Sequence, residues 1–521
     1  MFNSPSNSIP RSRKSRAQSQ PRTLADWTFV ASLADTSAMI TTSIFRSLAV
    51  LALVFATTFS RAADDERPNV ILFITDDISY DDIGCYGNSF VKTPHLDAMA
   101  ERGIRFNNAY LTTSSCSPSR CSLITGRYPH NTGAPELHTT LPKDQPLFPK
   151  TLRDSGYYTA LSGKHHMGKN ADPAFELVSK GKGPGKEGDW VKILEERPKE
   201  RPFFMWFAST DAHRDWQYDD TAPRYDPAEI DVPPFLFDGA KTRDDLADYY
   251  HEVSRTDSYM GKLVAEVKRQ GIEKNTYIIY MADNGRPFPR SKARLYDSGI
   301  KTPFLMACPG KIKPAVTDSI ISAIDIGPTI LDIAGVDKID ERHQGVSFAS
   351  ILKDPKASVR DVAFAEHNWH VYQAHERMVR TGDWLFIRNN QPRLQNLSME
   401  SDASFPAGEE LWAEEAKGNL KAEQRDVFQK PRSAQELFNV LDDPHQLTDV
   451  AKLPEHAEVL KKMNALLDRW TAETADSIPD NPSKDRQSVN GKKNKSWKHG
   501  ELPGESKGAA SVNAPGPRLV K

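Results

Sequence analysis

Apolar residues in this chain gather in two patterns. One is a set of short, almost continuous runs: Asn69–Thr75 (Asn-Val-Ile-Leu-Phe-Ile-Thr), residues 157–162, residues 202–209 and Thr276–Ala282. Runs of this kind read as strands covered on both faces, as in a parallel sheet. The other pattern has helical spacing. Between residues 242 and 270, Tyr249, Val253, Tyr259, Leu263 and Val267 recur every few positions, which predicts a helix packed on that sheet. Pro94 opens a shorter helix through Ala100. From Asp361 onward the apolar runs shorten and become more polar, at 362–365, 374–380 and 383–388, and a helix follows over 455–474.

Polar clusters close the long runs. Asp76-Asp77 follows the first, Lys164-His165-His166 the second, Asp211-Ala212-His213 the third and Asp283-Asn284-Gly285 the fourth. In open α/β sheets, ligands sit beyond the carboxyl ends of strands. Adjacent carboxylates there are costly unless a cation neutralises them. Asp76, Asp77, Asp283 and Asn284 offer hard oxygen donors, which suit Ca²⁺, with Mg²⁺ as the second choice, and disfavour zinc. Alone, Asp-Asn-Gly reads as a turn and Lys-His-His as a solvated loop; their place after predicted strands points to a site.

With 521 residues the chain has room for two domains or for one large α/β domain with an appendage. A net charge of −2 gives no case for binding nucleic acid by bulk electrostatics. Residues 1–38 are polar and read as a disordered extension or a start-site error. Residues 39–62 carry Arg46, an apolar stretch and a Ser-Arg-Ala end, the pattern of a signal peptide. The apolar stretch is too short to span a membrane, so the expected location is periplasmic or secreted, with no membrane span after cleavage. Four cysteines do not make a disulfide scaffold. Residues 477–521 are rich in Pro, Gly, Ser and Lys and predict a disordered tail.

One stretch adds specific chemistry. Cys116-Ser117-Pro118-Ser119-Arg120, with Leu123, Thr125, Gly126 and Arg127 behind it, resembles the type I sulfatase signature C-x-P-S-R-x-x-L-x-T-G-R. The resemblance implies that a formylglycine-generating maturation enzyme oxidises Cys116 to an aldehyde. One hydroxyl of its hydrate attacks sulfur, and the other drives release of the sulfate, a route closed to an ordinary serine. It also implies an alkaline-phosphatase-like α/β fold: a large, mostly parallel sheet flanked by helices (67–355), then a smaller domain with an antiparallel sheet and a helix (360–475).

The family's G-K-x-H-x-G places Lys164 and His166 beside the sulfate, and its later histidine corresponds to His213, although Ala212 stands where the family usually has proline. Lys292 occupies a basic position ahead of Tyr296, with Arg294 as rival. With Arg120, these residues form the expected catalytic set; Asp76, Asp77, Cys116, Asp283 and Asn284 form the expected metal set. His138, Glu366 and His367 are expected at the pocket rim as sugar contacts. Residues 319–334 resemble a family helix.

Ser114-Ser115, Pro287-Phe288-Pro289 and Tyr225-Asp226-Pro227 lean towards the N-sulfoglucosamine sulfohydrolase (sulfamidase) branch, whose substrates are sulfated saccharides of the heparan type. An O-sulfatase acting on sulfated polysaccharides, a phosphonate or phosphodiester hydrolase, and a non-catalytic glycan-binding protein are the alternatives.

Overall fold

The structure, a computed structural model, describes residues 67–337 and 339–519. The expected extension over 1–38 and signal peptide over 39–62 lie outside the described residues. Among the described residues, no helix is long and apolar enough to cross a membrane.

Eight strands form the larger sheet: β1 (Asn69–Thr75), β2 (Ile104–Tyr110), β3 (Tyr158–Gly163), β4 (Leu177–Ser179), β5 (Phe203–Ala208), β6 (Thr276–Ala282), β7 (Phe304–Ala307) and β8 (Ala315–Ser322). Their order is β4-β3-β5-β1-β6-β7-β2-β8. β7 alone runs antiparallel to its neighbours β6 and β2. The continuous apolar runs became the central strands because both sheet faces are covered. Val70, Leu72 and Ile74 of β1 face one core layer, and Ile71 and Phe73 face the other.

The helices used below are α1 (Pro94–Arg102), α2 (Cys116–Thr125), α3 (Phe148–Asp154), α4 (Ala240–Arg269), α5 (Ile326–Ile333) and α6 (Ala457–Glu473). Helices α2, α3 and α5 pack on the first face, and α1 and α4 on the second. Along α4, Tyr249, Val253, Leu263 and Val267 are buried as their spacing predicts, whereas Tyr259 is not among the buried residues.

A second sheet, β12-β11-β10-β9, is antiparallel and consists of β9 (Ala363–His367), β10 (Glu376–Arg380), β11 (Trp384–Asn389) and β12 (Gln435–Asn439). α6 covers one of its faces, with Trp470 stacked on Phe364 at 5.3 Å.

Two expectations need correction. Residues 319–334 are not one helix: β8 continues through Ser322, and only α5 is helical beyond a short 3-10 turn. Nor do the described residues 477–519 form a disordered tail. Trp497 stacks on Trp369 at 4.2 Å. Arg127, buried at the end of the cysteine motif, donates to the carbonyls of Ala510 and Val512 and to Asn513 Oδ1 at 2.8–3.0 Å. Apolar periodicity missed this segment because hydrogen bonds, the His499–Glu136 pair and a small aromatic cluster of Trp369, Trp497 and His499 hold it.

Candidate active site

Strands β3, β5, β1 and β6 lie side by side and parallel, so their carboxyl ends open at one edge of the sheet. Asp76 and Asp77 leave β1 there, Lys164 leaves β3, and Asp283 and Asn284 leave β6. The Lys164 amide donates to Ala208 O at 2.8 Å, the Asp283 amide to Thr75 O at 3.1 Å and the Ala212 amide to Asp76 O at 2.7 Å, which fixes the loops relative to one another. Gly163 has φ +98°, and a Cβ there would meet Ala208 O at 1.9 Å, so only glycine lets β3 turn out towards Lys164.

The cysteine motif enters this edge as α2. Ser115 is extended, Cys116 is the first helical residue, and Gly126 ends the helix in the left-handed region at φ +61°. All ten residues of α2 are buried. Cys116 therefore stands at a helix N-terminus, where backbone N–H groups and the helix dipole favour an anion. Its Sγ lies 3.8 Å from Asp77 Oδ1.

Around Cys116, three cations meet three carboxylates. Arg120 Nε donates to Asp283 Oδ2 at 2.7 Å, Lys292 Nζ to Asp77 Oδ2 at 2.6 Å, and Lys164 Nζ pairs with Asp76 Oδ2. Burial pushes the Asp77 carboxyl up, and Lys292, His213 and Lys164 more than reverse it, so it is held below the usual range. Burial raises Asp283 despite Arg120. Burial also pushes the Cys116 thiol well up, so that as a plain thiol it is a poor nucleophile at neutral pH. Asp77, His138 and His166 are non-glycine residues at φ 58°, 67° and 58°. Such backbone strain costs about 1–3 kcal/mol per residue and clusters at functional sites.

The donor set fits a hard divalent cation. Ligand atoms of Asp76, Asp77 and Cys116 lie within 4.8 Å of one another. Asp76 Oδ1 and Asn284 Oδ1 are buried without a hydrogen-bond partner, each a liability of about 1–3 kcal/mol that an ion would relieve. Asn284 Nδ2 donates to Asp77 Oδ1 at 2.6 Å, which brings the amide into the same cluster.

A cavity of about 550 Å³ opens over the cluster, large enough for a small saccharide. Asp76, His138, Lys164, His166 and His213 line it. The rings of His138 and His166 are 5.0 Å apart, and the His138 amide donates to Ser117 Oγ at 2.8 Å.

Glu366 and His367 do not reach the rim. Glu366 is buried against His130 at 2.8 Å and lies 3.8 Å from Arg377; His367 pairs with Glu376 at 2.7 Å. Both sit at the end of β9, so the strand's own core networks claim them. Arg294 pairs with Asp426 at 3.1 Å, away from Cys116, so the geometry favours Lys292 over this rival. Sequence reasoning missed Glu400, whose buried carboxylate lies 3.8 Å from Lys292 Nζ, and the cavity wall formed by Lys186, Arg214, Gln217 and Glu252. Apart from Glu252, which lies within α4, these residues come from scattered loops with no spacing to mark them; only Arg214, next to His213, had a local cue.

Comparison with known proteins agrees with this geometry. The sequence model of the sulfatase family matches residues 68–179 and 189–336, and that of the N-sulphoglucosamine sulphohydrolase C-terminal region matches 290–395. The chain belongs to the sulfatase family. It is therefore a hydrolase of the class that acts on sulfate esters and sulfamates. It is 29% identical to the human N-sulphoglucosamine sulphohydrolase over 466 residues, covering 79% of this chain and 91% of that protein. It is 28% identical to an ulvan-active sulfatase of Formosa agariphila over 466 residues, covering 79% and 76%. Among solved structures, one in complex with its substrate D-glucosamine-2-N,6-O-disulfate superposes with a TM-score of 0.61 at 20% identity, covering 78% of this chain and 98% of that one. Its likeness confirms the alkaline-phosphatase-like fold of this sulfatase.

Proposed function

We propose that this sulfatase removes sulfate from a sulfated sugar, and specifically from the nitrogen of an N-sulfated glucosamine. The observation that carries the reading is the convergence of Arg120, Lys164 and Lys292 on the carboxylates around buried Cys116. Packing three cations together is costly without an anion and favourable with one. The match over 290–395 and the likeness to the human sulfamidase support the nitrogen-linked choice.

Oxidation of Cys116 to formylglycine would supply a hydrated aldehyde as a renewable oxygen nucleophile, and a divalent ion on Asp76, Asp77, Asp283 and Asn284 would add positive charge beside the sulfate. The protein's own residues do the rest. Lys164 and Lys292 leave their carboxylates for the sulfate oxygens, and Arg120 holds Asp283 in place. His213 donates its Nδ1–H to the Arg214 carbonyl, so in the neutral ring Nε2 is an acceptor, which would take the proton released by the attacking hydroxyl and pass it to the departing amine. Overall, a sulfamate and water give a protonated amine and inorganic sulfate.

A second reading, an O-sulfatase on a sulfated polysaccharide, draws on the likeness to the ulvan-active enzyme. The signal-peptide pattern over 39–62, with its apolar stretch, supports a periplasmic or secreted site of action. A panel of N-sulfoglucosamine, O-sulfated sugars and phosphodiesters tests the choice. Sulfate release from N-sulfoglucosamine above all others supports the proposal, and preference for an O-sulfate overturns it.

A further inference from the structure

The C-terminal segment lies beyond both regions matched to known families, the later of which ends at residue 395. It packs behind one wall of the cavity. The Arg486 amide donates to Val371 O at 2.8 Å, and Trp369 Nε1 and Trp497 Nε1 both donate to Lys484 O, at 2.8 and 2.6 Å. Trp369 in turn accepts the Leu137 amide at 3.3 Å, and Leu137 packs with Trp369, Val371 and Tyr372. His499 pairs with Glu136 at 2.8 Å. Residues 136 and 137 are thus gripped from two sides, and the next residue, His138, lines the cavity.

Beside this grip stands an unusual cation. The Arg486 guanidinium lies over the Trp369 ring, 5.5 Å from its centroid. Its Nε is buried without a partner, and among the described residues its side chain has no carboxylate or carbonyl acceptor. Arg486 as a whole is half-buried, whereas the fully buried Arg120, Arg255, Arg360 and Arg377 are paired with Asp283, Asp211, Asp325 and Asp476 in turn. Burial lowers Arg486 from the ordinary arginine range. Burial and then the Arg486 charge push His138 down to about 4, so the imidazole facing the cavity is neutral at physiological pH. A guanidinium fixed on an indole, with its fork unfilled, is built to take a planar or tetrahedral oxyanion.

We propose that Arg486 is a specificity-determining residue that binds a second anionic group of the saccharide, a carboxylate or a further sulfate, while the first sulfate rests on the Cys116 cluster. This deepens the sulfated-sugar reading above and rests on it. The C-terminal segment completes the substrate site, and it selects sugars with two acidic groups over sugars with one.

The test is calorimetric binding in the Cys116→Ala background, so that no ligand is turned over. Three probes serve: N-sulfoglucosamine, N,6-O-disulfated glucosamine, and a disaccharide of a uronic acid with N-sulfoglucosamine. The parent is expected to bind at least one doubly acidic probe about tenfold or more tightly than the singly acidic one; which probe wins tells sulfate from carboxylate. Arg486→Gln should erase that preference and leave N-sulfoglucosamine binding within about twofold, and Arg486→Lys should restore part of it. Absence of the preference in the parent, or its survival in Arg486→Gln, overturns the proposal. Equal weakening of all three probes in Arg486→Gln also overturns it, since that would mark a merely structural role. Failure of the wild type to hydrolyse any sulfated sugar, with the binding preference intact, would refute the hydrolytic reading and leave the Arg486 assignment standing.

Discussion

Replacing Lys292 with methionine removes one charge and keeps an unbranched side chain only one atom shorter. Lys292 is 1% exposed, with Nζ 2.6 Å from Asp77 Oδ2 and 3.8 Å from Glu400 Oε1. If Lys292 covers a sulfate oxygen in the transition state, its loss should lower kcat/KM by about 10²–10³, or roughly 2.7–4 kcal/mol. The same change leaves Asp77 and Glu400 buried with less compensation. Breaking a buried pair by removing one partner costs about 3–5 kcal/mol. A divalent ion on Asp77 would make up most of that charge. The melting temperature of Lys292→Met should therefore fall strongly in chelator and recover in saturating Ca²⁺, while the rate stays low in both. Sulfate release and thermal melting, each with and without Ca²⁺, read the two effects separately. A rate within about threefold of wild type would refute contact with sulfate, and a stability loss blind to Ca²⁺ would refute the shared ion.

Other perturbations give distinct readouts. Asp283→Asn should lower bound metal, measured by atomic emission, because it removes a ligand charge and frees Arg120 from its 2.7 Å partner. His367→Ala should reduce stability by on the order of 1 kcal/mol through loss of the Glu376 hydrogen bond and leave kcat/KM on N-sulfoglucosamine unchanged; a large change in kcat/KM would put His367 back in the pocket. Trp497→Ala should cost at least the stacking on Trp369, about 0.5–1.5 kcal/mol, seen by chemical denaturation. Glu376 supplies a pH test. Burial opposes its charge, but Arg432, Arg294 and His367 hold the carboxyl well below its ordinary 4.5. A depressed carboxyl contributes stability that is whole above 4.5 and is lost as pH falls below it. Glu376→Gln should therefore lower the melting temperature most at neutral pH, and the gap to wild type should narrow in acid.

Much of the site was legible because chemistry and spacing coincided. Asp76-Asp77 and Asp283-Asn284 each close an apolar run, and those runs proved to be adjacent parallel strands, so the sheet itself brings the two pairs together. The cysteine motif, legible by its residue pattern, enters the site as a helix start, with Ser115 extended before it and Gly126 left-handed after it. What stayed hidden depends on depth rather than order. Glu366 and His367 sit at the end of an edge strand, where sequence does not say whether a polar side chain turns to the cavity or into a buried ion pair; Arg377 and Glu376 decide it. Residues 477–519 carry too few apolar positions to signal a fold, yet the unmet donors of buried Arg127 and Asn131 supply partners for their carbonyls. The cavity wall of Lys186, Arg214, Gln217 and Glu252 converges only in three dimensions.

The central claim is that Cys116, once matured, breaks a bond to sulfate in the cavity above it. Inorganic sulfate release from N-sulfoglucosamine by protein made in a maturation-competent host, beside its Cys116→Ala variant, tests that most directly. The account predicts steady release by the wild type, an aldehyde in place of the thiol in the peptide bearing residue 116, and no turnover by a folded Cys116→Ala. Comparable release by Cys116→Ala, or an intact thiol in fully active wild type, would contradict it.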